Sequence, residues 1–331
     1  MGLSPPFFGV SVKHWDSYWL STETLSSFAQ SNHKDGYQGD VLNFWNAIFR
    51  EFQSSAKLLD IGCGNGALAV LAEQYPNEFE ITAIDAANID PTKHFNNNEK
   101  VSLSLKNINF YSEMCCEKLN FNDSSFDYLI SQFGIEYSDL NFSFLEANRV
   151  LKSGGELIAL VHHRNSFITQ DCQQGIKVLS QFVNQDGLAY KVRNFVNFCS
   201  NYRLIEKPTA KEQNEFLQNN EKLLLDFKKV QINFNSEIEQ DWFGQLAKSF
   251  IPMIVNWREV AVHQVESLIE ELANYKLRIN EQIEASWSED DQKAIISNMS
   301  SSWETFDITP KKIDGELFCW VLRAKKLQEK H

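Results

Sequence analysis

Residues 58–66 read LLDIGCGNG, a short apolar run that ends on Asp60 and passes into a loop holding Gly62, Gly64 and Gly66. Three glycines let the backbone adopt positive φ and approach a ligand with no side chain in the way. The next residues, ALAVLAEQY (67–75), have a helical pattern. The loop therefore opens a helix, where free N–H groups and the helix dipole favour an anionic group. Strand, glycine loop and helix together predict a nucleotide-type site at the edge of a sheet.

The same alternation continues downstream. EFEITAID (78–85), FDYLISQF (126–133) and GELIALVHH (155–163) read as further buried strands. FSFLEANRVLKSGG (142–155) reads as a helix stopped by Gly154 and Gly155. Repeated strand–helix units predict a Rossmann-like, doubly wound α/β fold with a mostly parallel sheet. DGELFCWVLRAKK (314–326) reads as a turn and an antiparallel closing strand.

On either side of this core the pattern changes. Residues 1–56 are crowded with aromatics, including Phe7, Phe8, Trp15, Trp19, Phe28, Trp45 and Phe49. Within them, 40–52 places Val41, Phe44, Trp45, Ile48, Phe49 and Phe52 on one helical face. We read 1–56 as a helical lid segment. Residues 164–310 are helical in spacing, with helices expected at 211–230, 241–256, 258–286 and 289–301, the last behind Ser288. The expected organisation is a sheet domain of 57–163 and 311–331, with 164–310 inserted as a helical substrate-binding cap.

Composition narrows the partners. The chain has 331 residues, 43% of them hydrophobic, and a formal net charge of −13. That charge opposes nucleic acid and anionic membranes alike. No apolar run reaches the length of a membrane span, and no secretory signal is legible. Six cysteines (63, 115, 116, 172, 199, 319) lack CxxC spacing, so reduced thiols in a cytoplasmic protein are expected, with no metal site.

Two carboxylates separate the nucleotides that a glycine loop can hold. Gly62, Gly64 and Ala67 also satisfy a dinucleotide pattern. Asp60, however, lies just before the glycines, where it suits a ligand ammonium group and not a pyrophosphate. Asp85 follows the second strand, roughly 20 residues beyond Gly66, in position to accept from both hydroxyls of a ribose.

Taken in order, LLDIGCGNG, ITAID, NFNDSSFDYLISQFGIEY, NRVLKSGGELIAL and DGELFCWVLRAKK resemble the motifs of class I S-adenosylmethionine-dependent methyltransferases. The resemblance spans 57–163 and 313–326. It implies S-adenosylmethionine as cofactor and S-adenosylhomocysteine as product, while the aromatic-rich helical cap suits a small or medium organic molecule as methyl acceptor, through oxygen or nitrogen. The resemblance places Gly62, Gly64, Asn65 and Gly66 at the methionine end with Asp60 near the amino group, Asp85 on the ribose and Ala86 under the adenine. Gln132 and Phe133 fall beside the sulfonium. The acidic residue of many relatives at the adenine amino group is replaced here by Cys115, which leaves that contact to backbone groups near Cys116 or to Glu117.

A hydroxyl acceptor needs a base, for which histidine is suited near neutral pH. His162 and His163 end the fifth predicted strand on the sheet edge where such folds bind ligands, and strand alternation sends one toward the cleft and one toward a covering helix. They are the catalytic candidates, with His14, Glu136 and Tyr137 behind them. Two other readings stay open: a catalytically silent cofactor-binding scaffold that uses the helical insertion for a partner or a homodimer, and an NAD-dependent dehydrogenase.

Overall fold

The computed structural model describes residues 12–27 and 35–328. Phe7, Phe8, Phe28 and His33 lie outside them. In chain order the elements are α1 (Lys13–Ser21), α2 (Gly39–Glu51), β1 (Lys57–Ile61), α3 (Ala67–Glu73), β2 (Glu80–Ile84), α4 (Pro91–His94), α5 (Ser102–Lys106), β3 (Asn109–Tyr111) and β4 (Phe126–Gln132). A 3₁₀ turn, Ile135–Tyr137, leads to α6 (Leu140–Val150) and β5 (Leu151–His162). Then follow α7 (Phe167–Val183), α8 (Leu188–Tyr202), α9 (Ala210–Gln231), α10 (Glu237–Val255), α11 (Val262–Ala285), α12 (Glu289–Met299), β6 (Thr305–Ile313) and β7 (Glu316–Lys325).

The strands form one seven-stranded sheet in the order β3-β2-β1-β4-β5-β7-β6. The first five run parallel, while β7 pairs antiparallel with both β5 and β6. The central strands are apolar on both faces, as a parallel sheet covered on each side requires. Leu58, Ile130, Ile158 and Leu160 face one layer with Trp45, Phe49, Leu68 and Leu105. Leu59, Leu129, Leu157, Ala159 and Val161 face the other, with Phe144, Val150, Ile295 and Trp320. In α2 the expected stripe is realised: Trp45, Ile48 and Phe49 are buried, and Phe52 just beyond stacks on Tyr128 at 3.7 Å.

Three local expectations are corrected. α6 stops at Val150, because Leu151 is already extended (φ −68, ψ 139) and pairs with Phe126. Gly154 and Gly155 therefore lie inside β5, where a Cβ on Gly155 would stand 2.7 Å from the Asp127 carbonyl oxygen. β3 is a strand that the sequence hid, since three residues carry no period. β6 takes Thr305–Ile313, so the helical stretch ends before 310; its Pro310 is tolerated because β6 is an edge strand.

Residues Gln170–Ile283 form a second compact unit, narrower than the 164–310 of the sequence reading. Its core gathers Phe182, Phe195, Phe227, Phe243, Phe250 and Val265. α9 and α10 each begin with a capping box, Thr209 with Glu212 and Ser236 with Glu239, which satisfies two otherwise orphaned donors at each end. Pro252 falls in the last turn of α10.

Within the sheet unit, the two chain segments that flank 170–283 are joined to each other. His163 bridges Trp287 in parallel, the Trp287 N–H donates to the His162 carbonyl at 2.9 Å, and the Arg164 N–H donates to the Trp287 carbonyl at 2.9 Å. The Arg164 guanidinium donates to the Ser286 hydroxyl at 2.8 Å and to its carbonyl at 2.7 Å.

Leu129, fully buried in the central strand β4, tests the core. Leu129→Ala is expected to lower unfolding free energy by about 2–5 kcal/mol, read from urea denaturation.

Candidate functional site

The glycine loop is built by close backbone packing at the ends of β1, β2 and β4. The N–H groups of Gly62 and Cys63 both donate to the Ile84 carbonyl, at 2.9 and 3.0 Å. The Ser131 hydroxyl donates to the Ile61 carbonyl at 2.7 Å and accepts from the Ile135 N–H at 3.1 Å. Gly62 (φ +69) lies so near Gly134 that a Cβ there would be 2.7 Å from the Gly134 Cα. Both positions have to be glycine, because neither backbone can give way.

Asp85 follows β2 and closes the loop. Its carboxylate accepts from the Gly64 N–H at 2.7 Å and from the Ala87 N–H at 2.8 Å. Burial raises its pKa, against the pull of those two donors. Asp60 is deeper. It is buried, one oxygen (Oδ2) has no partner, and burial together with the neighbouring Asp85 pushes its carboxyl up to about 8.

Beside the loop lies a cavity of about 320 Å³, near the lower end for small-molecule sites. Gly62, Asp85 and Ala86 line one side, and Met114, Cys115, Cys116 and Glu117 another. Phe133, Gly134, Tyr137 and Ser138 form the β4 side, while Val12, Trp15 and Trp19 close it from the N-terminal segment. The Met114–Phe121 stretch is held by Arg149, which donates to the carbonyls of Leu119 and Phe121 and pairs with Glu146 and Asp123. Such a fork of charge-assisted bonds fixes a loop that has little core of its own.

Of the residues expected around a cofactor, the structure brings Gly62, Asp85, Ala86, Cys115, Cys116, Glu117 and Phe133 to the cavity wall. Glu117 is engaged there, accepting from the Asp139 N–H at 3.0 Å. Asp60, Gly64, Asn65 and Gly66 do not line the cavity. Gly64 carries the Trp19 indole against it, Gly66 (φ +87) packs under Phe110, and the Asn65 amide donates to the carbonyls of Trp19 and Thr24 at 3.0 and 3.3 Å. Gln132 also stays outside, because its Oε1 accepts from the Trp45 indole N–H.

The two histidines part as strand alternation requires. His162 sits on the cavity side, its ring stacked on Phe133 at 4.2 Å, and burial pushes its imidazole down to about 3. A group held neutral so firmly is a poor proton acceptor near pH 7. His163 points to the opposite face, where it stacks on Trp320 at 4.2 Å and its Nδ1 accepts from the Asn165 N–H at 3.0 Å. Its second nitrogen lies 3.7 Å from Glu289. The structure does not bring His163 to the cavity; it belongs to the clasp around Trp287.

Glu136 stands in the 3₁₀ turn between cavity residues. Its Oε1 accepts from the His162 N–H at 2.9 Å, Oε2 is buried without a partner, and burial pushes the carboxyl up to about 8. Sequence alone ranks it below the histidines, since nothing in FGIEY reveals that the carboxyl is buried. Among the described residues no group of three or more His, Cys, Asp or Glu side chains is placed to hold a metal ion.

Comparison with known proteins falls on the same region. Residues 59–159 match the family model described as a methyltransferase domain. That match is consistent with a class I S-adenosylmethionine-dependent methyltransferase domain. Among solved structures, a geranyl diphosphate methyltransferase in complex with GPP and sinefungin is 16% identical at a TM-score of 0.32, over 37% of this chain and 44% of that one. The YcgJ protein from Bacillus subtilis is 18% identical at a TM-score of 0.37, over 87% and 98%. The 1,6-didemethyltoxoflavin-N1-methyltransferase of Burkholderia thailandensis is 14% identical at a TM-score of 0.31, over 38% and 53%. The chain thus spans less than half the length of the first of these. No curated protein matches the chain. Likeness at this level lends nothing to the choice of acceptor.

Asp60 gives the site a pH signature. Its folded pKa of about 8 lies above the ordinary 3.8, so folding favours the protonated form. The stability this gives is whole below about pH 4 and is lost as pH rises toward 8. Asp60→Asn is therefore expected to gain stability relative to the parent between pH 5 and pH 9. Urea midpoints that move in parallel across that range would show Asp60 to be ionised throughout.

Proposed function

We propose that the chain transfers a methyl group from S-adenosylmethionine to an oxygen or nitrogen of a small or medium organic molecule, in the cytoplasm. The observation that carries this reading is the paired carboxylates at the strand ends. Asp85 stands at the cavity wall with both oxygens on backbone donors, and Asp60 lies below the loop with a buried oxygen unpartnered. An orphaned carboxylate oxygen under the loop fits an ammonium group, and a carboxylate beside Ala86 fits vicinal hydroxyls. The glycine cradle fits the same ligand, because side chains are excluded from it.

The sulfonium donor brings its own leaving group, so the protein needs chiefly to orient the acceptor and exclude water. Phe133, Tyr137 and Trp15 supply the apolar wall for that. His162 supports Phe133 by stacking. For a hydroxyl acceptor the proposed base is Glu136, which stands in the turn between the cavity residues Gly134 and Tyr137 but behind the wall. The proton would pass to it through an intervening water, and its raised pKa matches the base strength needed near neutrality. An amine acceptor that arrives neutral would release its proton only after transfer.

The helical unit is assigned to acceptor recognition by its place in the chain, between the β5 and α12 segments joined by the His163–Trp287 bridge. The cytoplasmic assignment is supported by six free thiols. No described helix is long and apolar enough to cross a membrane.

Calorimetry separates donor from dinucleotide. S-adenosylhomocysteine is expected to bind and NAD is not, and Asp85→Ala is expected to weaken the former at least tenfold, the loss of about one charge-assisted hydrogen bond. Heat with NAD alone would overturn the assignment.

Across small phenols, carboxylic acids and amines, release of S-adenosylhomocysteine should identify the acceptor class. With a hydroxyl acceptor, turnover is expected to rise with pH toward about 8, the value to which the Glu136 carboxyl is raised. Glu136→Gln should remove that limb while donor affinity holds, and His162→Gln should leave the limb in place. A limb that survives Glu136→Gln would acquit the carboxyl of proton transfer.

A further inference from the structure

Helix α1 lies across the glycine loop and is tied down by a few specific contacts. A methyl group added to Gly64 would collide with the Trp19 indole, so the ring rests directly on the loop backbone. The Asn65 amide holds the end of the helix through the Trp19 and Thr24 carbonyls. The Asn88 N–H donates to the Asp16 carboxylate at 2.7 Å, just beyond Ala86 and Ala87 of the cavity wall. His94 Nε2 meets the Thr22 carbonyl at 2.6 Å.

The helix itself is weak. It has nine residues, no side-chain cap at Val12 and no basic residue in its last turn. Helices this short are marginal in water on their own, so α1 is held by those tethers, by the indole on the loop and by the packing of Trp15 and Tyr18 against the core. Its partner surface has matching features. Asn65 keeps a buried Oδ1 without a partner, and Asp60 keeps Oδ2.

The cavity is also asymmetric. Asp85, Ala86 and Met114 are open to it, whereas Gly64, Asn65 and Asp60 are not, and the Trp19 indole stands over Gly64. Resting on the donor reading above, we infer that α1 is a strap whose Trp19 indole fills the place of the donor's amino-acid tail. The nucleoside half of the site is open with the strap down. The tail reaches Gly64 and Asp60 only when the strap lifts, and α1 then settles over the bound donor.

Stopped-flow tryptophan fluorescence of the full chain tests this with two probes, S-adenosylhomocysteine and 5′-methylthioadenosine, which lacks the tail. Methylthioadenosine is expected to bind with an observed rate linear in concentration. S-adenosylhomocysteine is expected to bind with a rate that saturates, and about tenfold more slowly, as a competent state populated at roughly one in ten would give. Trp19→Ala, followed by competition with methylthioadenosine, should make the second rate linear and raise it. Asp16→Ala cuts one tether without touching the ring and should raise it as well.

Equal, linear rates for both nucleosides that neither variant changes would overturn the strap while leaving the donor site intact. If neither nucleoside binds the parent chain, the donor reading fails and the strap falls with it.

Discussion

The site depends on one close approach, Gly62 against Gly134 across the ends of β1 and β4. Two backbones meet there with no room for a methyl group, and the Ser131 hydroxyl spans the junction from the Ile61 carbonyl to the Ile135 N–H. That contact sets the height of the glycine loop relative to the turn after β4. It brings Phe133 and Tyr137 to the same cavity as Asp85, and it leaves Glu136 in the turn with its carboxyl turned inward. A side chain at either glycine would move both walls together.

Around this contact the electrostatics are those of a dry site. Asp60 and Glu136 are both buried and held toward their neutral forms, and His162 is held neutral from the other direction. The chain is strongly acidic overall, yet two of the carboxyls buried around the cavity add little fixed negative charge near neutral pH. An approaching cation would ionise Asp60 by pairing with it. A neutral acceptor meets aromatic rings first.

How much of this could be read from residues alone varies with the length of the signal. LLDIGCGNG, ITAID and GELIALVHH each combine a full buried strand with a distinctive end, and the parallel sheet follows from them. β3 spans only Asn109–Tyr111, too short to show a period, and in β6 the alternation of Phe306 and Ile308 is cut short by Pro310. The end of α6 was misread because Gly154 and Gly155 imitate a stop signal, although Leu151 has already left the helix. The strand-end place of Asp85 follows from spacing along a βαβ unit, whereas Ala86 and the 115–117 segment are placed only by the family resemblance; all of them line the cavity. Gln132, Asn65 and His163 were not legible, since each is claimed by a distant partner: Trp45, the Trp19 carbonyl and Trp320. No local pattern announces such partners.

The clasp of His163 on Trp287 has a consequence for how this chain can vary. Both stems of the 170–283 excursion enter and leave through neighbouring points on one bridge, secured by Arg164 on Ser286. Strand registers on either side are fixed without help from the excursion, since β5 already pairs with β7 along its whole outer half. The stretch between those two points can therefore lengthen, shorten or change its sequence without disturbing the register of β5 on β7.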